Sequence, residues 1–240
     1  MPYPSQSVHH LPVRSIAMRD QPGLPDALRR QGRRLLGGTL AAGALAWACS
    51  AIAQDATVCG PLATGGYGPL DYRKATAQQK ELVEGSHFTR EIEALQKGRS
   101  GSLAGEIDYT LRAFPNHPRA LMAMMRLGER DKTERPYGAM FSVGCYFERA
   151  VRFQPDDPTA RTLRGIYLLR TGQRQGAIEE LEVARERAGD DPNINYNLGL
   201  AYFEMKDYDK ALQHAKKAYE FGFPLEGLKN KLKRAGKWQD

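Results

Sequence analysis

Three cysteines and a handful of histidines are the side chains here that could bond to one another or to a metal. Cys59 and Cys145 are a candidate disulfide if the chain reaches an oxidising compartment and Cys49 is removed beforehand; in a reducing one they are two separate thiols. His87, His117 and His214 show no metal-ligand spacing with the cysteines and no pair at helical spacing as in zinc proteases, so no metal or cofactor is expected. No Gly-x-Ser-x-Gly elbow or phosphate-cradling glycine loop is present. Acid pairs such as Glu179-Glu180 fall where a helix would face solvent. No catalytic residues are nominated, and the expected function is non-catalytic.

Whether the cysteines meet an oxidant depends on the first quarter of the chain. The net charge is +7, unevenly spread. Residues 1–53 carry six arginines against two aspartates, the last fifteen carry five cations against two acids, and residues 54–225 sum to zero. Nucleic acid is therefore not an expected partner. The basic start is followed by an uncharged run from Leu35 to Ala53 ending in Ala51-Ile52-Ala53. Positive start, apolar middle and small residues at the cut are the pattern of a secretory signal peptide, with cleavage expected between Ala53 and Gln54 and export to the periplasm or beyond. Met18 is a second candidate start. The competing readings are a membrane anchor, against which stand the short length and Gly37, Gly38 and Gly43, and a lipoprotein modified at Cys49, against which stands Trp47. Arg33-Arg34 faintly suggests a twin-arginine signal. Membrane contact is not expected once the segment is removed.

The remainder repeats itself at a shift of 34 residues: Asp157-Pro158 recurs as Asp191-Pro192, Gly165 as Gly199, Ala177 as Ala211 and Ala184 as Ala218. Between these landmarks Leu163, Ile166 and Leu169 form one apolar pattern at helical spacing, and Ile178, Leu181 and Ala184 a second. Each unit is thus two helices. Gly165 and Ala177, with their copies, stand where the helices must approach closely. Prolines open each unit at positions that suit a first helical turn.

This pattern resembles the tetratricopeptide repeat family, whose 34-residue unit places small residues at its eighth, twentieth and twenty-seventh positions. Counted from Pro192 these are Gly199, Ala211 and Ala218, with Leu198 seventh and Tyr202 eleventh; counted from Pro158 they are Gly165, Ala177 and Ala184, although Arg164 replaces the aliphatic seventh residue. Two weaker units precede them, 84–117 and the 40-residue 118–157, whose excess implies an insertion near Arg130 to Pro136. The resemblance implies an all-α, right-handed superhelical solenoid of about four helix-turn-helix units. These are 84–117, 118–157, 158–191 and 192–225, closed by a C-terminal cap helix in 226–240 with Leu225, Leu228, Leu232 and Ala235 on one face.

It also implies a concave groove that binds a protein or peptide. Carried over position by position, the lining is Met122 and Arg126, then Thr162, Ile166, Leu169 and Arg170, then Tyr196, Leu200, Phe203 and Glu204. Phe88, Ile92, Leu95 and Arg119 extend it toward the first unit. The alternative for Ile166 and Leu169 is plain core. Only Asn197 fits a two-carboxylate clamp, so none is expected. Residues 54–83 read as a Gly/Pro-rich arm with Tyr67, Leu70 and Tyr72 able to pack, and a Cys59–Cys145 bridge would strap it to the outer helices. The expected role is an adaptor or assembly factor of a bacterial envelope, or alternatively an accessory subunit of an envelope enzyme or transporter.

Overall fold

A computed structural model of the chain describes residues 59–238. The apolar run, Cys49 and the cut after Ala53 lie outside these residues. Within them the protein is all-helical: α1 (Ala77–His87), α2 (Arg90–Glu93), α3 (Leu103–Ala113), α4 (Pro118–Asp131), α5 (Val143–Phe153), α6 (Pro158–Arg170), α7 (Arg174–Ala188), α8 (Pro192–Glu204), α9 (Tyr208–Glu220) and α10 (Gly227–Arg234). Successive helices pack in hairpins of tetratricopeptide type.

Caps written in the sequence start these helices. Thr76 and Gln79 form a capping box on α1, and Ser102 and Ser142 accept from the third residue of α3 and α5. Asp157 and Asp191 accept two backbone N–H groups each, with Pro158 and Pro192 in the first turn. The hairpins close on small residues: a Cβ at Gly165 would lie 2.6 Å from Leu181 Cγ and 3.2 Å from the Ala177 carbonyl, and one at Gly199 would lie 3.2 Å from the Ala211 carbonyl. Arg164 is where an aliphatic residue was expected because Glu180 takes both Arg164 and Arg161 at 3.0 and 2.9 Å, so Glu180 ties α6 to α7 rather than merely facing water.

The α6–α7 turn passes through Gly172 at φ +80°, and the equivalent α8–α9 turn through Lys206 at φ +64°. The left-handed conformation costs an L-residue roughly 1 to 2 kcal/mol. Lys206→Gly is therefore expected to raise stability by up to about 1 kcal/mol, after glycine's larger entropy loss, seen as a higher urea midpoint at unchanged slope.

One apolar cluster joins α2 through α6, two smaller ones join α7 through α10, and a fourth sets the arm on α1 and α3. The arm is packed structure: Tyr67, Leu70, Tyr72 and Ala75 lie against Val83, Ala113 and Phe114, and the Leu70 N–H donates to the Ala113 carbonyl at 2.8 Å. The first unit departs from a plain hairpin. α1 begins inside the arm, and the chain breaks at Phe88, which leaves helical geometry at φ −142° to bury its ring. The cap is shorter than expected. Leu228 and Leu232 are fully buried, but Leu225 and Ala235 are exposed, since Phe223 folds back on Tyr196 and α10 starts only at Gly227.

Candidate functional site

The first helices of the second and third units, α4 and α6, carry the open part of the expected groove. Met122 and Ile166 are half-buried against the large cluster. Arg126 is exposed and donates to the Glu93 carbonyl at 3.1 Å; Arg170 is exposed and grips both Glu129 oxygens at 2.8 and 3.0 Å. Thr162 is turned inward, 5% exposed, its hydroxyl donating to the Pro158 carbonyl. Leu169 belongs to the packing of α7 and α8.

On α8 the expected lining is covered by the chain's own end. Tyr196 is buried and stacked on Phe223 at 4.1 Å; Leu200 and Phe203 pack with Leu228 and Leu232; Glu204 accepts from Lys231 at 2.9 Å. Positional analogy missed this because it treats the last unit as open, whereas α10 lies across it. In the first unit Phe88 and Ile92 are core and Leu95 is half-buried, and Arg119 of the second unit bridges Glu84 and Glu93.

Two further features are a cavity and a set of arginines that joins the expected Cys59–Cys145 bridge; the cavity and the arginines were not anticipated. The first is a cavity of about 230 Å³ at the C-terminal ends of α4 and α6, walled by Lys132, Thr133 and Glu134 of the α4–α5 connection and floored by Met125, Val143 and Tyr167. Its signal in the sequence is the surplus length of unit 118–157.

The second is a clamp on the arm. Cys59 and Cys145 are disulfide-bonded, their Cα atoms 5.1 Å apart. One turn beyond Cys145, Arg149 is 1% exposed and donates to the carbonyls of Cys59, Pro61 and Leu62 at 3.0, 2.6 and 3.1 Å, its guanidinium 4.1 Å from the Phe141 ring centroid. Arg152 adds a bond to the Gly60 carbonyl at 2.6 Å. Burial, and then the Arg152 charge, pull the Arg149 pKa down from its ordinary value. Further along the arm, Asn116 donates to both Asp71 and Asp157, and Arg73 bonds Asp71 and lies 3.5 Å from Asp157. The arm thus runs along α3 and α5, the second helices of their units.

The three described histidines serve the fold. His87 pairs with Glu106 at 2.7 Å and His214 with Asn195 at 2.9 Å. Fully buried His117 caps α4 through Nδ1, which accepts from the Ala120 N–H, and its Nε2 bonds Glu84 at 3.1 Å. Burial pushes its pKa down to about 4 against the raising pull of the Glu84 carboxylate. Because the unfolded chain takes this proton near pH 6.5, the neutral capping form stabilises fully above that value. This stability is lost as pH falls from about 6.5 to 4, by about 3 kcal/mol. His117→Asn, which keeps a capping acceptor, is expected to flatten that slope in urea melts run across the same range. Among the described residues no three His, Cys, Asp or Glu side chains are grouped to hold a metal, and no helix is long and apolar enough to cross a membrane.

Compared with known proteins, residues 146–192 and 162–223 match the tetratricopeptide repeat family. No curated protein matches the chain. Solved structures that resemble it include two MamA structures. "MamA MSR-1 C2" is 14% identical over 63% of this chain and 79% of its own, with a TM-score of 0.41. A MamA protein crystal structure is 17% identical over 69% and 98%, with a TM-score of 0.43. The family match falls on α5 through α9, so residues 146–223 of this all-helical chain are tetratricopeptide repeats.

Proposed function

We propose that this protein is an exported interaction scaffold or assembly factor of a bacterial envelope, freed of residues 1–53 and holding another polypeptide on the open surface of α4 and α6. Tetratricopeptide repeats are in general protein-binding scaffolds. The observation that carries the placement is the arm clamp. A disulfide seated beside a buried arginine persists in an oxidising compartment and would stay open in a reducing one. The signal-like start of the sequence points the same way. The binding surface is Met122, Arg126, Ile166 and Arg170, which mix apolar contact with arginine as interface hot spots do.

Two measurements test this reading. Intact mass of the protein recovered from the envelope fraction should match residues 54–240 less two hydrogens, with thiols alkylated only after reduction; a mass retaining the apolar run, with free thiols, overturns the placement. A photo-crosslinking residue at position 126 or 166 should give discrete protein adducts in cells. The same residue at Glu186, exposed on α7, should not, and equal labelling at all three positions overturns the surface.

A further inference from the structure

The α6–α7 and α8–α9 connections take three residues each, whereas α4–α5 takes eleven, 132–142. The added length is built into a wall. The Val143 N–H donates to the Glu134 carbonyl at 2.7 Å, Arg135 Nε to the Ala139 carbonyl at 3.1 Å, and the Met140 N–H to Asp108 at 3.2 Å, while Pro136 and Ala139 are buried. Gly128 lets this wall close on α4, since a Cβ there would lie 3.1 Å from the Thr133 carbonyl and 2.8 Å from Val143 Cγ2. Behind it the Tyr167 ring, stacked on Phe147 at 4.8 Å, and the buried Met125 and Val143 make an apolar floor.

At about 230 Å³ the cavity is below the roughly 300 to 1,000 Å³ of small-molecule sites and suits one large side chain. Its electrostatics select the kind. Glu129 and Arg170 neutralise each other, and Lys132 and Glu134 are the remaining rim charges, neither ion-paired among the described residues. The balance is tipped because α4 and α6 both end here, and each C-terminal end carries about half a negative charge. Burial and the Glu134 carboxylate both hold the Tyr167 hydroxyl pKa up, as a negative local field would.

We infer that this cavity accepts an arginine or lysine side chain from a partner polypeptide, its methylene stem on Met125, Val143 and the Tyr167 ring and its cationic head at Glu134. Such a side chain satisfies floor and rim together: the apolar stem lies on the aromatic face, and the head gains from the carboxylate. The inference rests on the protein-binding reading above and names what that partner presents.

The test is display of random linear peptides on the immobilised full chain. Enriched peptides are expected to share an arginine or lysine. A synthesised representative should bind Glu134→Gln about tenfold more weakly and Glu134→Lys weaker still, a loss of the size expected for a charge-assisted bond. Glu134 is exposed, so unchanged melting temperatures would certify both variants as folded. Enriched peptides without a shared basic residue, or bound equally by Glu134→Lys, overturn the cavity assignment and leave the scaffold reading standing. No enrichment by the wild type, together with no crosslinks from positions 126 and 166, overturns both.

Discussion

Reduced protein, or protein with serine at both Cys59 and Cys145, is expected to be less stable by about 4 to 5 kcal/mol. The two cysteines are 86 residues apart in sequence, and chain-entropy arguments for a loop that long lead to a stabilisation of this order. The check is a pair of urea unfolding curves, one with and one without reductant. The slope should also change, because the reduced unfolded chain is more expanded. Coincident curves would mean that the bridge adds nothing and that the arm is held by packing alone.

Arg149→Met is expected to cost about 3 to 5 kcal/mol, close to the bridge itself. Methionine fills the space of the arginine stem but leaves the Cys59, Pro61 and Leu62 carbonyls without their donor. Arg149→Lys should recover little of the loss, because one ammonium cannot span acceptors that a planar guanidinium reaches with two nitrogens. Since the bridge fixes Cys59 and the guanidinium holds the same end of the arm from Cys59 to Leu62, their effects should overlap. In a double-mutant cycle, removing Arg149 from protein already lacking the disulfide should cost clearly less than removing it from the intact protein. Additive losses would show that the two act on different parts of the molecule.

The repeat was legible in the sequence because it is a matter of small residues at fixed positions. Gly165 and Gly199 sit where their neighbours leave no room for a Cβ, so the 34-residue echo is a direct trace of helix contact. Leu228 and Leu232 likewise announced a helix that buries one face. What that helix covers was not legible. Tyr196 and Phe203 read as groove residues by position, and only the reversal of the chain at Phe223 shows them to be occupied. The break after α1 was hidden for a similar reason, since Phe88 takes a core position that no local propensity at Ser86 to Thr89 signals. Arg149 left a faint trace: it lies one turn beyond a cysteine, with no acid at the neighbouring helical positions Cys145 and Phe153. The cavity at α4 and α6 was visible only as surplus length, because a residue count says that a connection is long and not which way it folds.

The arm, the bridge and Arg149 all act on residues 59 to 157, whereas α7 through α10 share smaller clusters with no covalent tie. Repeat arrays open one neighbour at a time, so the two ends of this chain should unzip unequally. Amide protons of α8 and α9 should exchange with deuterium through partial openings that leave α3 to α5 closed. Reduction should slow-start nothing at the far end while bringing the exchange of α5 closer to that of α9. The molecule then has a fixed root and a pliant tip, and a partner seated between α4 and α6 rests near the boundary of the two.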